Sequence, residues 1–320
     1  MTTTGGDPLI DAYAHVGLPR FQSISDYQGA MAQAGVDQAV LCAFDSCPDL
    51  AAIHAAVQDR PDTFRAVGVP LGADEAEMRA AADAQLAAGF SGLRLSDADV
   101  LERAWLLDIL GREGRVAVVC GQVSEAERAR VLLTHLERHP DAVVVGGHFA
   151  AADKPQVLAG GPVRDLFGHP RFRVVFSRQG GYPSTVVREW ADAVVGLTGW
   201  DRILWGSEAP ILFWRNETLQ DAIGWVEQLS PTADQRAAFF GGNARQLYFG
   251  GAADLAPLKL PFDPWERAKP IQAGLWASGL PVEQSLAGRL VHGWRVSGGQ
   301  GTLGDYARSV LDRALPPLEE

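Results

Sequence analysis

Pro8-Leu9-Ile10-Asp11-Ala12-Tyr13-Ala14-His15-Val16-Gly17 is a short apolar run that closes on Asp-x-Tyr-x-His and then meets a glycine. Read as a strand over Leu9 to Val16, its side chains alternate between two faces, which puts Asp11, Tyr13 and His15 on the same one. An acid, a phenol and an imidazole at the C-terminal end of a strand suit the mouth of a parallel barrel. An edge strand with a solvated polar face is the competing reading.

Seven more apolar runs decide between the two. They are Asp37–Phe44, Phe64–Leu71, Ser91–Leu95, Arg115–Cys120, Ala142–His148, Phe172–Ser177 and Asp201–Glu208. Between and after them lie segments of helical spacing: Ser25–Ala34, Asp49–Asp59, Asp74–Ala88, Asp99–Glu113, Glu125–His139, Lys154–Leu166, Ser184–Val195, Asn216–Leu229, Ala233–Phe239 and Asn243–Tyr248. Continuous apolar strands alternating with helices mean a parallel sheet covered on both faces, and eight such units favour a closed (β/α)8 TIM barrel over an open sheet. No glycine-rich phosphate loop follows the first strand, as an open nucleotide-binding sheet would require.

The pattern changes after Gly250. The barrel is expected over residues 1–250, and 251–320 form a C-terminal extension. Its first part, 251–270, carries Pro257, Pro261, Pro264 and Pro270 and reads as an extended strap. Two helices follow, around Val282–Val291 and Leu303–Leu315, and Trp265, Trp276 and Trp294 give the tail surface for packing on the body, for a lid, or for a homodimer arm.

Composition narrows the partners. The 320-residue chain has a net charge of -11, which argues against nucleic acid as main partner and against a polybasic membrane patch. Three cysteines, Cys42, Cys47 and Cys120, are an odd set that fits a reducing compartment better than a disulfide framework. With neither a signal-like start nor a long apolar run, the expected setting is soluble and cytoplasmic.

Reading the strand ends in order gives Tyr13 and His15, then Asp45, Arg94, Cys120 with Gln122, His148, Ser177 with Arg178, and Ser207 with Glu208. A ring of polar residues, each after an apolar run, is what a small-molecule pocket at a barrel mouth needs. His54, His135, His139 and His169 fall in helical segments or before Pro170 and read as surface residues.

Ile203-Leu204-Trp205-Gly206-Ser207-Glu208-Ala209-Pro210 resembles the last-strand motif of the amidohydrolase superfamily, and Gly242-Asn243-Ala244-Arg245-Gln246-Leu247 resembles the segment that closes its domain. Ile10 to His15 looks like its first-strand I-D-x-H-x-H, Gly89 to Leu95 its fourth strand, and Gly35 to Val40 its second. The likeness runs over about residues 8–249, nearest to the branch of pyrone dicarboxylate lactonase and aminocarboxymuconate semialdehyde decarboxylase.

That resemblance implies a divalent ion, zinc or manganese, held in metal-binding members by two first-strand histidines, a histidine after strand five and a last-strand aspartate. This chain departs from the pattern: Tyr13, Cys120 and Glu208 take three of those four positions and His15 keeps the fourth, while His148 stands after strand six, where the histidine of those members contacts substrate or water. A neutral phenol is a poor ligand. A His15, Cys120, His148 and Glu208 shell stays chemically allowed. The resembled branch also includes members that hydrolyse without a metal, and no cofactor is the favoured expectation. The function then expected is hydrolysis of a small, acidic cyclic ester or amide, with Glu208 as base and Tyr13, His15 and His148 polarising the carbonyl. Arg94 and Arg178 would hold a substrate carboxylate, beside Cys120 and Ser177. A metal-dependent decarboxylase, or a member repurposed as a lyase, cyclase or binding protein, is the alternative.

Overall fold

The computed structural model describes residues 8–18, 20–151, 155–215, 217–277, 305–306 and 308–310. Eight strands, β1 (Ile10–Ala14), β2 (Gln38–Cys42), β3 (Phe64–Gly68), β4 (Gly92–Ser96), β5 (Val116–Cys120), β6 (Val143–Gly146), β7 (Phe172–Phe176) and β8 (Ile203–Trp205), pair in sequence order. Every pairing is parallel. The ring closes at its C-terminal rim, where Glu208 N donates to Tyr13 O at 2.8 Å and His15 N donates to Ala209 O at 2.7 Å. The protein is therefore a (β/α)8 TIM barrel, and the helices between the strands cover its outside.

Two cores follow from this closure. Val40, Val67, Val118, Val145, Val175 and Leu204 fill the interior of the barrel, one from nearly every strand. A larger cluster, with Leu41, Phe64, Leu95, Phe172 and Trp205, packs the outer strand faces against the helices. Short-range chemistry sets the helix ends: Ser23 and Asp26 form a capping box at the start of Ile24–Ala34, and Gly35 ends that helix with φ 73°.

The structure corrects the opening strand. The register of β1 on β2 shifts between Asp11 and Ala14, so strict alternation fails there. Tyr13 joins Ile10 and Ala12 in the interior cluster. Asp11 instead accepts from Tyr27 Oη at 2.6 Å, from Ser207 N at 2.9 Å and from the Ser207 hydroxyl. Its carboxylate ties β1 to the end of β8 and to the first outer helix, and does not share a face with Tyr13.

Several helices are shorter than their patterns suggest. Asp99–Glu113 is two helices, Asp97–Glu102 and Trp105–Arg112, and Ser96 with Asp99 caps the first. Lys154–Leu166 becomes a 3-10 turn at Pro155–Ala159 and a helix at Gly161–Gly168, divided where Gly161 takes φ 68°. Asn216–Leu229 starts only at Leu219, behind a Thr218–Asp221 capping box, and tightens to 3-10 geometry after Gly224.

The extension crosses the outside of the barrel. Arg65, near the start of β3, donates to Tyr248 O and Gly251 O at 3.0 Å each. His54 Nε2 lies 2.8 Å from Ala256 O, and Asp254 O sits where a side chain at Gly89 would begin. From there Leu258, Leu260 and Phe262 pack on the outer core. The strap ends at 263, not 270, because a helix, Pro264–Ala277, starts on a proline whose missing N–H is no loss in a first turn. Arg267 then grips Glu77 with two bonds of 2.8 Å, at the start of the helix that follows β3. The strap thus runs from the N-terminal to the C-terminal rim. The helix expected at Val282–Val291 lies outside the described residues, and within Leu303–Leu315 only 305–306 and 308–310 are described, as helix.

Two of the helical histidines are not on the surface. His54 is buried under the strap, and His135 is buried beside His139. No described helix is long and apolar enough to cross a membrane.

Candidate functional site

Strand ends bring the expected residues together at the C-terminal rim. Tyr13 lies edge-on to both His15 and His148, with ring centroids 4.9 and 5.1 Å away. Its phenol oxygen accepts from Arg94 Nε at 2.8 Å and lies 3.2 Å from Cys120 Sγ. The phenol is fully buried, so in this arrangement it fixes Arg94. Arg94 in turn stacks its guanidinium on Phe44, 4.2 Å from the ring centre.

The two imidazoles carry opposite tautomers by the logic of their partners. His15 Nδ1 is 2.8 Å from Cys42 O, an acceptor, so the proton belongs on Nδ1 and Nε2 keeps a lone pair. That Nε2 is buried and has no hydrogen-bond partner. Burial first, then Arg94, pushes the His15 pKa down to about 3, and the ring is neutral. His148 Nε2 faces Glu208 Oε1 at 3.4 Å, and Nδ1 lies 2.9 Å from Ser177 Oγ. A carboxylate accepts, which assigns the His148 proton to Nε2 and makes the Ser177 hydroxyl the donor to Nδ1. Burial, then Arg178, Arg94 and Arg215, hold the His148 pKa well below its ordinary value. Glu208 does not keep this ring protonated, because its own charge is already engaged.

Glu208 is 1% exposed, and Arg215 Nη1 donates to its Oε2 at 2.9 Å. Arg178 Nε stands 3.5 Å from its Oε1. Arg215 also binds Glu217, a second acid at the rim. Three of these groups sit on unusual backbone: φ is 51° at His148, 66° at Arg178 and 56° at Glu208. Left-handed backbone is unfavourable for such residues by roughly 1 kcal/mol or more. Packing holds it: Trp190 Nε1 donates to Phe149 O beside His148, and Phe149 stacks on Phe176 at 4.4 Å.

A divalent ion needs several of these donors to converge. Among the described residues no three His, Cys, Asp or Glu side chains do so. His15 alone offers a free lone pair among these donors, at Nε2, whereas Cys120 is turned to Tyr13 and Glu208 to Arg215, and guanidinium charges stand around the acid that would bind the ion. The donor set does not fit a divalent metal.

Sequence reading missed Arg215, Arg20 and Phe44. Arg215 follows no strand; its one signal is a cation seven residues beyond the last-strand acid. Arg20 lies over Phe44, 4.5 Å from the ring centre, and binds the Ser46 hydroxyl. Phe44 thus carries a guanidinium from Arg20 and another from Arg94. Beyond Arg94 opens a cavity of about 590 Å3, bounded by the loops after β2, β3 and β4 and by the helix at Pro264–Ala277.

A family model described as amidohydrolase matches residues 4–250. The fold is similar to that of a protein from Pseudomonas putida assigned as a 2-pyrone-4,6-dicarboxylic acid hydrolase, at 24% identity and TM-score 0.60, covering 78% of this chain and 99% of that one. A protein from Acinetobacter baumannii with the same assignment and citric acid bound is 16% identical, with TM-score 0.58 and coverage of 76% and 99%. The 2,6-dihydroxybenzoate decarboxylase from Rhizobium is 15% identical, with TM-score 0.55 and coverage of 78% and 100%. No curated protein matches the chain in sequence.

Proposed function

This chain belongs to the amidohydrolase family, and we propose that it hydrolyses a small carboxylate-bearing cyclic ester without a metal. The observation that carries the reading is the buried Glu208, set between His148 and the guanidiniums of Arg178 and Arg215, with Arg94 opposite. A buried acid beside several cations is a base paired with anion donors.

Arg94 takes the substrate carboxylate, and Glu208 keeps Oε1, 3.5 Å from Arg178 Nε, for the attacking water. Glu208 takes a proton from that water as its oxygen attacks the ester carbonyl. The charge on the carbonyl oxygen develops toward Arg215 and Arg178, which are already in place. The ring C–O bond then breaks, and the proton on Glu208 passes to the leaving alkoxide. His148 stands beside the acid, Nε2 at 3.4 Å, and its Nδ1 is bonded to the Ser177 hydroxyl. The unpartnered lone pair of His15 Nε2 is a second acceptor for water or a substrate hydroxyl. The pyrone dicarboxylic acid hydrolase assignment of two structural neighbours supports the lactone class, and the citric acid bound to one supports an acidic substrate.

Glu208→Gln keeps the shape and removes the base, so turnover of a carboxylated lactone panel should fall by about 10²–10⁴-fold. Parent-like turnover by that variant would end the proposal. Release of carbon dioxide without ring opening would point instead to the decarboxylase chemistry of the Rhizobium neighbour.

A further inference from the structure

The cavity beyond Arg94 is larger than a compact ring acid needs; pockets of about 300–1,000 Å3 hold drug-sized ligands. Its wall is purpose-built in one respect. The helix at Pro264–Ala277 lies beyond the residues 4–250 matched by the family model, yet it supplies Pro270 and Ile271 to the lining. The Arg267–Glu77 pair and the Arg267–Phe262 stack fix that helix over the rim.

Several charges lining the cavity already have partners, inside it or beyond it, and Asp45 accepts from Ser46 N. Asp99 is taken up by its helix cap and Arg103, and Glu266 by Lys269. Arg94 differs: its Nε is bonded to Tyr13, and no described residue accepts a hydrogen bond from its two Nη groups, although the Asp45 carboxylate on the same wall attracts its charge. A planar fork with free Nη groups suits bidentate recognition of a carboxylate. Beyond it, Pro70, Met78, Pro270 and Ile271 give an apolar side, with Val69 and Leu71 buried behind it.

We propose that the substrate carries, beside its carboxylate, an apolar limb, an acyl chain or aryl group, which lies in this cavity against Met78, Pro270 and Ile271. The carboxylate sits on Arg94, and the C-terminal helix sets the accepted length. This deepens the hydrolase reading by naming the substrate class of the same site, and it rests on that reading only for the chemistry.

Calorimetric titration of the full chain with straight-chain monocarboxylates from butanoate to decanoate tests it. Affinity should rise up to about threefold per methylene until the cavity is full. Arg94→Met should weaken every member alike. Ile271→Asp should flatten the series, and Ile271→Trp should stop the gain at a shorter chain, with circular dichroism confirming that each variant is folded. Affinity independent of chain length, or an unchanged slope in both folded Ile271 variants, would overturn the proposal. A length-dependent series in a protein that opens no lactone would sink the catalytic reading and leave this one standing.

Discussion

At the ends of β6, β7 and β8 the side chains of His148, Arg178 and Glu208 leave a left-handed backbone, whereas Asp45, Leu71 and Arg94, after β2, β3 and on β4, leave an ordinary one. The first group gathers around one buried acid, with His148 buried beside it and Arg178 reaching it from the solvent side. The second borders open space. A left-handed residue turns its side chain off the line of the strand, so three groups from neighbouring strands can converge on one point at a conformational cost. The opposite half carries no such residue except glycine among those described, and it leaves its specificity to side chains and to a helix added from outside. On the proposed reading, backbone places the reacting groups, and what is laid over the rim sets the recognition groups.

That contrast can be broken at several points beyond Glu208→Gln. Asp11→Ala removes the carboxylate that ties β1 to β8 beneath the convergent groups, leaving Ser207 and Tyr27 unpaired. Burial raises the pKa of this acid and its hydrogen bonds resist the rise, so the bonds sustain a buried charge. The loss should be about 1–3 kcal/mol in urea unfolding, the cost of leaving buried hydrogen-bonding groups unpaired. A loss under about 1 kcal/mol would mean the rim is held by packing alone.

His15 sharpens the comparison through pH. Its pKa is about 3 in the fold against 6.5 for the free group. Between those values the unfolded chain binds a proton that the native chain refuses, so stability declines as pH falls from about 6.5 toward about 3. Removing the imidazole in His15→Gln should flatten that limb by up to about 1.4 kcal/mol per pH unit. An unchanged slope in urea titrations across this window would show that His15 accepts a proton in the fold.

Arg215→Met should lower kcat/KM for carboxylated lactones by about tenfold or more, as expected for loss of a charged hydrogen bond of about 1.5–3 kcal/mol. Kinetics on a neutral lactone should fall by a similar factor, because Arg215 faces the reacting carbonyl; a loss confined to carboxylated lactones would assign Arg215 to carboxylate binding instead. The smallest effect separates the two halves directly. Ala151 has φ 68°, so Ala151→Gly should stabilise by up to about 1 kcal/mol, whereas Ala73→Gly, on the cavity side, should destabilise by a similar amount. Shifts of the same sign in both urea midpoints would erase the proposed difference.

The barrel was legible because eight apolar runs between helical segments leave few other ways to satisfy a parallel sheet. Strand ends likewise announced Tyr13, His15, Arg94, Cys120, His148, Ser177, Arg178 and Glu208, since a polar residue closing a buried run has little reason to be there except a mouth. What alternation could not give was the bulge in β1, which depends on the Asp11 bonds to Ser207 and Tyr27 far along the chain. Arg215 and Arg20 stayed hidden because they stand on connecting segments, where arginine is ordinary. His54 looked solvent-facing because nothing local says that Ala256 will cover it.

The strap has a consequence for how the molecule can change. Residues 251–263 climb the outer wall without adding a rung to the strand ladder, so the mouth is fitted by a part that the barrel does not need in order to close. A protease nick there would unfasten selectivity and spare the vessel. Recombination at the same place could hand one catalytic cup a different roof, leaving old chemistry to meet new molecules.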